Sequence, residues 1–156
     1  MVLTTHQRFA GVWSVTRDIE DMGGGPSGRF RGLARITPDG EGLRYAEQGL
    51  LTLGQAKMTA ARVYLWRLEG ESGVAVLYED GAPFHRFDWA RTQCADSHQC
   101  GEDHYAVRYS FAAESWHTHW RVTGPRKNYA STALYLRASP AERPGEATLV
   151  GRAPGA

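Results

Sequence analysis

The sequence predicts an all-β protein, an antiparallel up-and-down β-barrel of about nine to ten strands. Three observations lead there. Apolar and polar residues alternate with a period of two along most of the chain, as strands with one buried face do. Turn signals built on Gly, Pro, Asp and Ser separate these runs at short spacing. No long segment carries apolar residues at helical spacing. Half-apolar strands must pack on a second layer or close on themselves, and a chain whose connections are nearly all hairpins favours closure over a Greek-key sandwich.

The first strand falls near 10–20, within GVWSVTRDI, and the glycine-rich MGGGPSG loop at 22–28 follows it. Over 28–37, Phe30, Gly32, Ala34 and Ile36 share a face opposed by Arg29, Arg31 and Arg35. After the PDGEG turn, the run 42–53 places Leu43, Tyr45, Glu47, Gly49, Leu51 and Leu53 on one side. The run 57–69 aligns Met58, Ala60, Arg62, Tyr64 and Trp66, and EGESG leads into a short strand at 73–80. Over 83–90, His85, Phe87 and Trp89 oppose Arg86 and Asp88. Tyr105, Val107, Tyr109 and Phe111 share a face of 104–112, and Trp116, Trp120 and Val122 a face of 116–124. GPRK turns the chain into 128–138, which carries Tyr135 and Arg137. One domain is expected over 1–156, with a loosely ordered Pro/Gly/Ala-rich tail at 139–156 in which ATLVGR offers an extra edge strand.

Two hairpin registers test the inner face. A two-residue Gly54–Gln55 turn sets Glu47 opposite Arg62 and Tyr45 opposite Tyr64, so a buried carboxylate meets a buried guanidinium. A tight Asp80–Gly81 turn sets His85 opposite Val76, pointing inward. The resulting interior is too polar and too aromatic for an aliphatic core. It suits a ligand cavity whose walls are Tyr45, Tyr64, Trp66, Tyr105, Trp120 and Tyr135, with Glu47, Arg62 and His85 orienting a polar or acidic group. A network in which these groups satisfy one another without a ligand is the alternative.

The formal net charge of +1 with mixed signs argues against a nucleic-acid partner. No apolar run approaches a membrane span, and MVLTTHQRFAGVW lacks the pattern of a signal peptide, so a cytoplasmic protein with reduced thiols is expected. The oligomeric options are monomer and homodimer.

Both cysteines fall in CADSHQCGEDHY, residues 94–105. Cys94, His98, Cys100 and His104 are chemically suited to zinc, but their spacing is unlike that of paired ligand turns and His104 should point outward. No metal and no cofactor is expected. Cys100 served by His98 as a nucleophile would need a turn between them. The reading adopted is a folded loop tied by Asp103 to backbone amides, with Cys100 buried and His98 and Asp103 at the rim. Arg126 and Lys127 of GPRK are expected on that rim too, as solvated turn residues or as attractors of an acidic ligand, with MGGGPSG at the opposite end.

Gly11-Val12-Trp13 on the first strand, the meander that follows and a late basic residue resemble the calycin superfamily of lipocalins, fatty-acid-binding proteins and nitrobindin-like barrels. The fuller pattern GVWSVTRDI, YAEQG, VYLWR, DGAPFH, HQCGEDHYAVRYSF and W-x-V-T-GPRKNY is similar to an uncharacterised bacterial family catalogued as domain of unknown function 6314, over residues 11–137. The calycin resemblance implies a small-molecule-binding barrel in which a late arginine covers the first tryptophan, here Arg137 over Trp13. Nine strands would put those two at opposite ends and bring Arg126 or Lys127 nearer. A tenth would change the closure, which leaves the partner of Trp13 open.

The expected function is therefore an intracellular barrel binding an amphipathic or aromatic ligand, acidic ligands included. Two alternatives stand beside it: an enzyme using His85 with Glu47 or Asp80 for acid–base chemistry, and a nitrobindin-like haem barrel ligated through His85 or His98.

Overall fold

The computed structural model describes residues 3–139. Ten antiparallel strands follow one short helix: α1 (Thr5–Phe9), β1 (Gly11–Asp21), β2 (Gly28–Asp39), β3 (Gly42–Leu53), β4 (Ala56–Glu69), β5 (Gly73–Tyr78), β6 (Pro83–Asp88), β7 (Gln93–Cys100), β8 (Asp103–Phe111), β9 (Ser115–Thr123) and β10 (Asn128–Arg137). They form one sheet in the order β6-β5-β4-β3-β2-β1-β10-β9-β8-β7. The sheet curls until its two edges, β6 and β7, lie side by side. That seam is bridged by Asp96, whose Oδ2 accepts the Arg86 N–H at 2.7 Å. The ATLVGR stretch and most of the expected tail lie outside the described residues.

Both hairpin registers that decide the inner face are present: Glu47 lies opposite Arg62, Tyr45 opposite Tyr64 and Val76 opposite His85. Gly32 faces Gly49 across β2 and β3, where a Cβ on either would run into the facing backbone.

β7 brings the strand number to ten, the upper of the two expected. It occupies the segment expected as a folded loop, and Gly101, at φ 59°, makes the turn that pairs β7 with β8. The extra strand reverses the parity of the closure. β1 and β10 run antiparallel with Trp13 directly opposite Arg137, whose guanidinium carbon sits 4.2 Å above the Trp13 ring. Arg137, and neither Arg126 nor Lys127, covers that tryptophan. The same parity moves GPRK to the rim of the 22–28 loop rather than the opposite one, and Met22 N–H donates to Asn128 O at 2.8 Å there.

Helix α1 closes the other end. Thr4 and Gln7 form a capping box, Gln7 N–H donating to the Thr4 hydroxyl at 3.1 Å and Thr4 N–H to Gln7 Oε1 at 2.9 Å. This lets a single turn carry Phe9 into the barrel, where Trp66, Phe87, Trp89, Phe111 and Trp116 surround its ring edge-on at 5.4–6.2 Å. Trp13 Nε1–H donates to Phe9 O at 2.9 Å, and Arg137 donates to Ala10 O at 2.7 Å and Arg8 O at 2.8 Å, satisfying carbonyls at the helix end.

Candidate functional site

Above the plug the barrel holds a cavity of about 260 Å³, just under the usual range of ligand pockets. Eight of the nine residues expected at a ligand site line it: Tyr45, Arg62, Tyr64, Trp66, His85, Tyr105, Trp120 and Tyr135. Ile19, Leu51, Leu53, Val122 and Tyr129 line the side toward the rim of the 22–28 loop.

Glu47 is the ninth, and it stands behind the cavity wall rather than on it. Its carboxylate is 3 % exposed and receives two guanidinium groups. Arg17 binds it bidentately, with both nitrogen–oxygen distances at 2.9 Å, and Arg62 Nε donates at 2.9 Å. Tyr45 donates its hydroxyl to the same carboxylate and meets the Tyr135 hydroxyl at 2.8 Å, while Arg17 also reaches Tyr135 at 3.2 Å. Burial alone would raise the Glu47 carboxyl, but Arg17 and Arg62 outweigh it and hold the group well below the usual carboxylate range. Two cations share one anion, and Arg62, with 33 % of its side chain exposed, stands on the cavity wall.

His85 and Tyr109 face each other across the cavity side, the Nε2 atom 2.7 Å from the phenol oxygen. Burial pushes the imidazole down to about 3, so it is neutral at ordinary pH. Glu47 hydrogen-bonds Arg17, Arg62 and Tyr45, and Asp80 accepts from Ala82 N–H in an exposed turn, so the geometry pairs neither with His85. Of the two histidines offered for a haem, His85 has Nε2 engaged by Tyr109, and His98 packs its ring on Phe84 and Tyr105.

The rim residues are brought together only in part. Lys127 donates to the Tyr105 hydroxyl at 2.7 Å and lies 3.4 Å from Asp103, an ion pair where backbone contacts of Asp103 were expected. His98 packs its ring on Phe84 and Tyr105 beside the seam, and Arg126 is exposed. Cys100 is exposed rather than buried, and Cys94, opposite Tyr109, is the cysteine packed on the core. Six positions along β7 separate them, roughly 20 Å at the rise of a strand. Among the described residues no group of three or more His, Cys, Asp or Glu is placed to hold a metal ion. No described helix is long and apolar enough to cross a membrane.

Sequence reasoning missed Arg17, Phe84, Tyr109 and Trp116 as site residues. Arg17 shares the alternating face of Trp13, Val15 and Ile19, so the signal was present in GVWSVTRDI. Phe84 had none: a bulge between Val76 and Leu77 breaks the regular alternation and turns both Phe84 and His85 inward.

The chain belongs to the Family of unknown function (DUF6314), whose family model matches residues 9–137. No curated protein matches the sequence. Among solved structures it is similar to the S-type phycobiliprotein lyase CPES from Guillardia theta, with a TM-score of 0.63 at 12 % identity over 88 % of this chain and 94 % of that one. That likeness is one of fold: a calycin-like barrel of antiparallel strands.

Proposed function

We propose that this DUF6314 protein is a cytoplasmic small-molecule-binding barrel, and that its ligand is an aromatic or amphipathic acid. The observation that carries the reading is the charge count at the inner wall. Arg17 and Arg62 share the single carboxylate of Glu47, which leaves one positive charge uncompensated among the described residues of the cluster, on a side chain facing an aromatic cavity. A cation in such surroundings attracts a carboxylate or phosphate far more strongly than one in water does. The rings around it, Tyr64, Trp66, Trp120 and Tyr135, supply flat apolar contact for the rest of the molecule.

Native mass spectrometry of the protein purified from its own host tests this. The expected result is a retained small molecule with an acid group, released on denaturation. A protein that carries no such molecule and binds none of a panel of aromatic acids contradicts the proposal.

A further inference from the structure

Two polar atoms of cavity-lining residues have no hydrogen-bond partner among the described residues: His85 Nδ1 and the indole Nε1–H of Trp116. The two residues are 7 % and 1 % exposed. A third such atom, Gln48 Oε1, belongs to a residue outside the cavity lining. Buried polar atoms are nearly always paired, so two unpaired ones around one cavity call for an explanation.

Trp116 cannot turn to find a partner. Its ring lies on Tyr135 with centroids 3.7 Å apart and planes at 1°, and its edges meet Phe9 and Trp13. An indole N–H only donates. His85 is fixed through Nε2 by Tyr109, and when that hydroxyl donates, the neutral ring carries its proton on Nδ1. Both unpaired atoms are then donors. Both rings flank Tyr109, whose centroid is 5.7 Å from His85 and 6.2 Å from Trp116.

These donors lie deeper than Arg62. Trp116 touches the Phe9 plug, as does Trp66, whereas Arg62 is four residues along β4 from Trp66, a rise of roughly 13 Å toward the open rim. We propose that the ligand carries, besides the acid group that answers Arg62, a neutral carbonyl or equivalent acceptor oxygen at its inner end, to which Trp116 and His85 donate. The inference rests on the acid-binding reading above and adds the second polar group and the residues that select it.

Two small acids separate the ideas. 4-Acetylbenzoate and 4-isopropylbenzoate share ring and acid and are of similar bulk, a methyl group of the second standing in place of the carbonyl oxygen of the first. In fluorescence titration of the full chain, the acetyl compound should bind about tenfold more tightly, because the site's donors stay unpaired with the other. His85→Phe should erase most of that preference. In a proton–nitrogen spectrum with backbone-based assignment, the Trp116 indole N–H should move downfield with the acetyl acid and stay near its free position with the isopropyl acid, a readout that needs no variant to fold. Equal affinities, or an unmoved Trp116 N–H on saturation with the acetyl acid, overturn the inference and leave acid binding standing. Binding of neither acid overturns both.

Discussion

The two ends of the barrel are built on opposite terms. At the closed end, α1 and the rings around Phe9 leave little unmet: aromatic edges meet aromatic faces, and Arg137 covers Trp13 while accounting for carbonyls of the helix. Toward the open end, the wall holds a buried carboxylate between two guanidiniums, and between the two ends lie two donors without acceptors, one on the neutral His85 and one on Trp116. Burying such groups costs stability that apolar residues of the same volume would not. A protein able to fill one end with Trp and Phe has the means to fill the other. That it does not is what the proposed ligand site in the upper half accounts for.

The largest expected effects probe the anchor of each half. Glu47→Gln leaves the buried Arg17 and the half-buried Arg62 facing each other without their shared anion and should cost about 3–5 kcal/mol in denaturant unfolding. Phe9→Ala should cost about as much through the hole it leaves in the plug, yet change affinity for an acidic ligand little. If Phe9→Ala abolishes binding in protein that is still folded, the division between the halves fails.

The next effect is a pH dependence. The folded-state His85 value of about 3 lies below its ordinary 6.5, so the unfolded chain takes up a proton first and stability falls as pH drops from 6.5 toward 3. Between pH 7 and 5 this amounts to about 2 kcal/mol, above the range where carboxylates titrate. His85→Leu should flatten that slope. An unchanged slope would mean that the ring is not held neutral.

The smallest effect belongs to the rim. Lys127→Met removes a half-exposed contact with Asp103 and Tyr105 and should change stability by no more than about 1 kcal/mol. A larger loss in thermal unfolding would assign the rim a structural part of its own.

What the sequence made legible divides along similar lines. Strict alternation with unambiguous turns placed Tyr45, Glu47, Arg62, Tyr64 and Trp66 inward, because a slip of one residue would have put all of them in water. β7 was illegible because it is an edge strand beside the seam. Its inward set, Cys94, Asp96, His98 and Cys100, is only partly covered, so its composition reads as a loop. Helix α1 has a single turn, too short for periodicity to register, and its signal lies in the Thr4–Gln7 cap alone. Without β7 as a strand, the direction of the closure, and with it the partner of Trp13, stayed open, although the inward residues of β3 and β4 were already placed.

The central claim is that Arg62 offers its charge to a ligand. It is tested by titrating 4-isopropylbenzoate and its methyl ester against the wild type and Arg62→Gln. Arg17 still pairs with Glu47 in that variant, so the fold should survive. The acid should bind the wild type at least about tenfold more tightly than the ester, and the variant should bind the two alike. Equal binding of acid and ester by the wild type, or a preference that survives in Arg62→Gln, would contradict it.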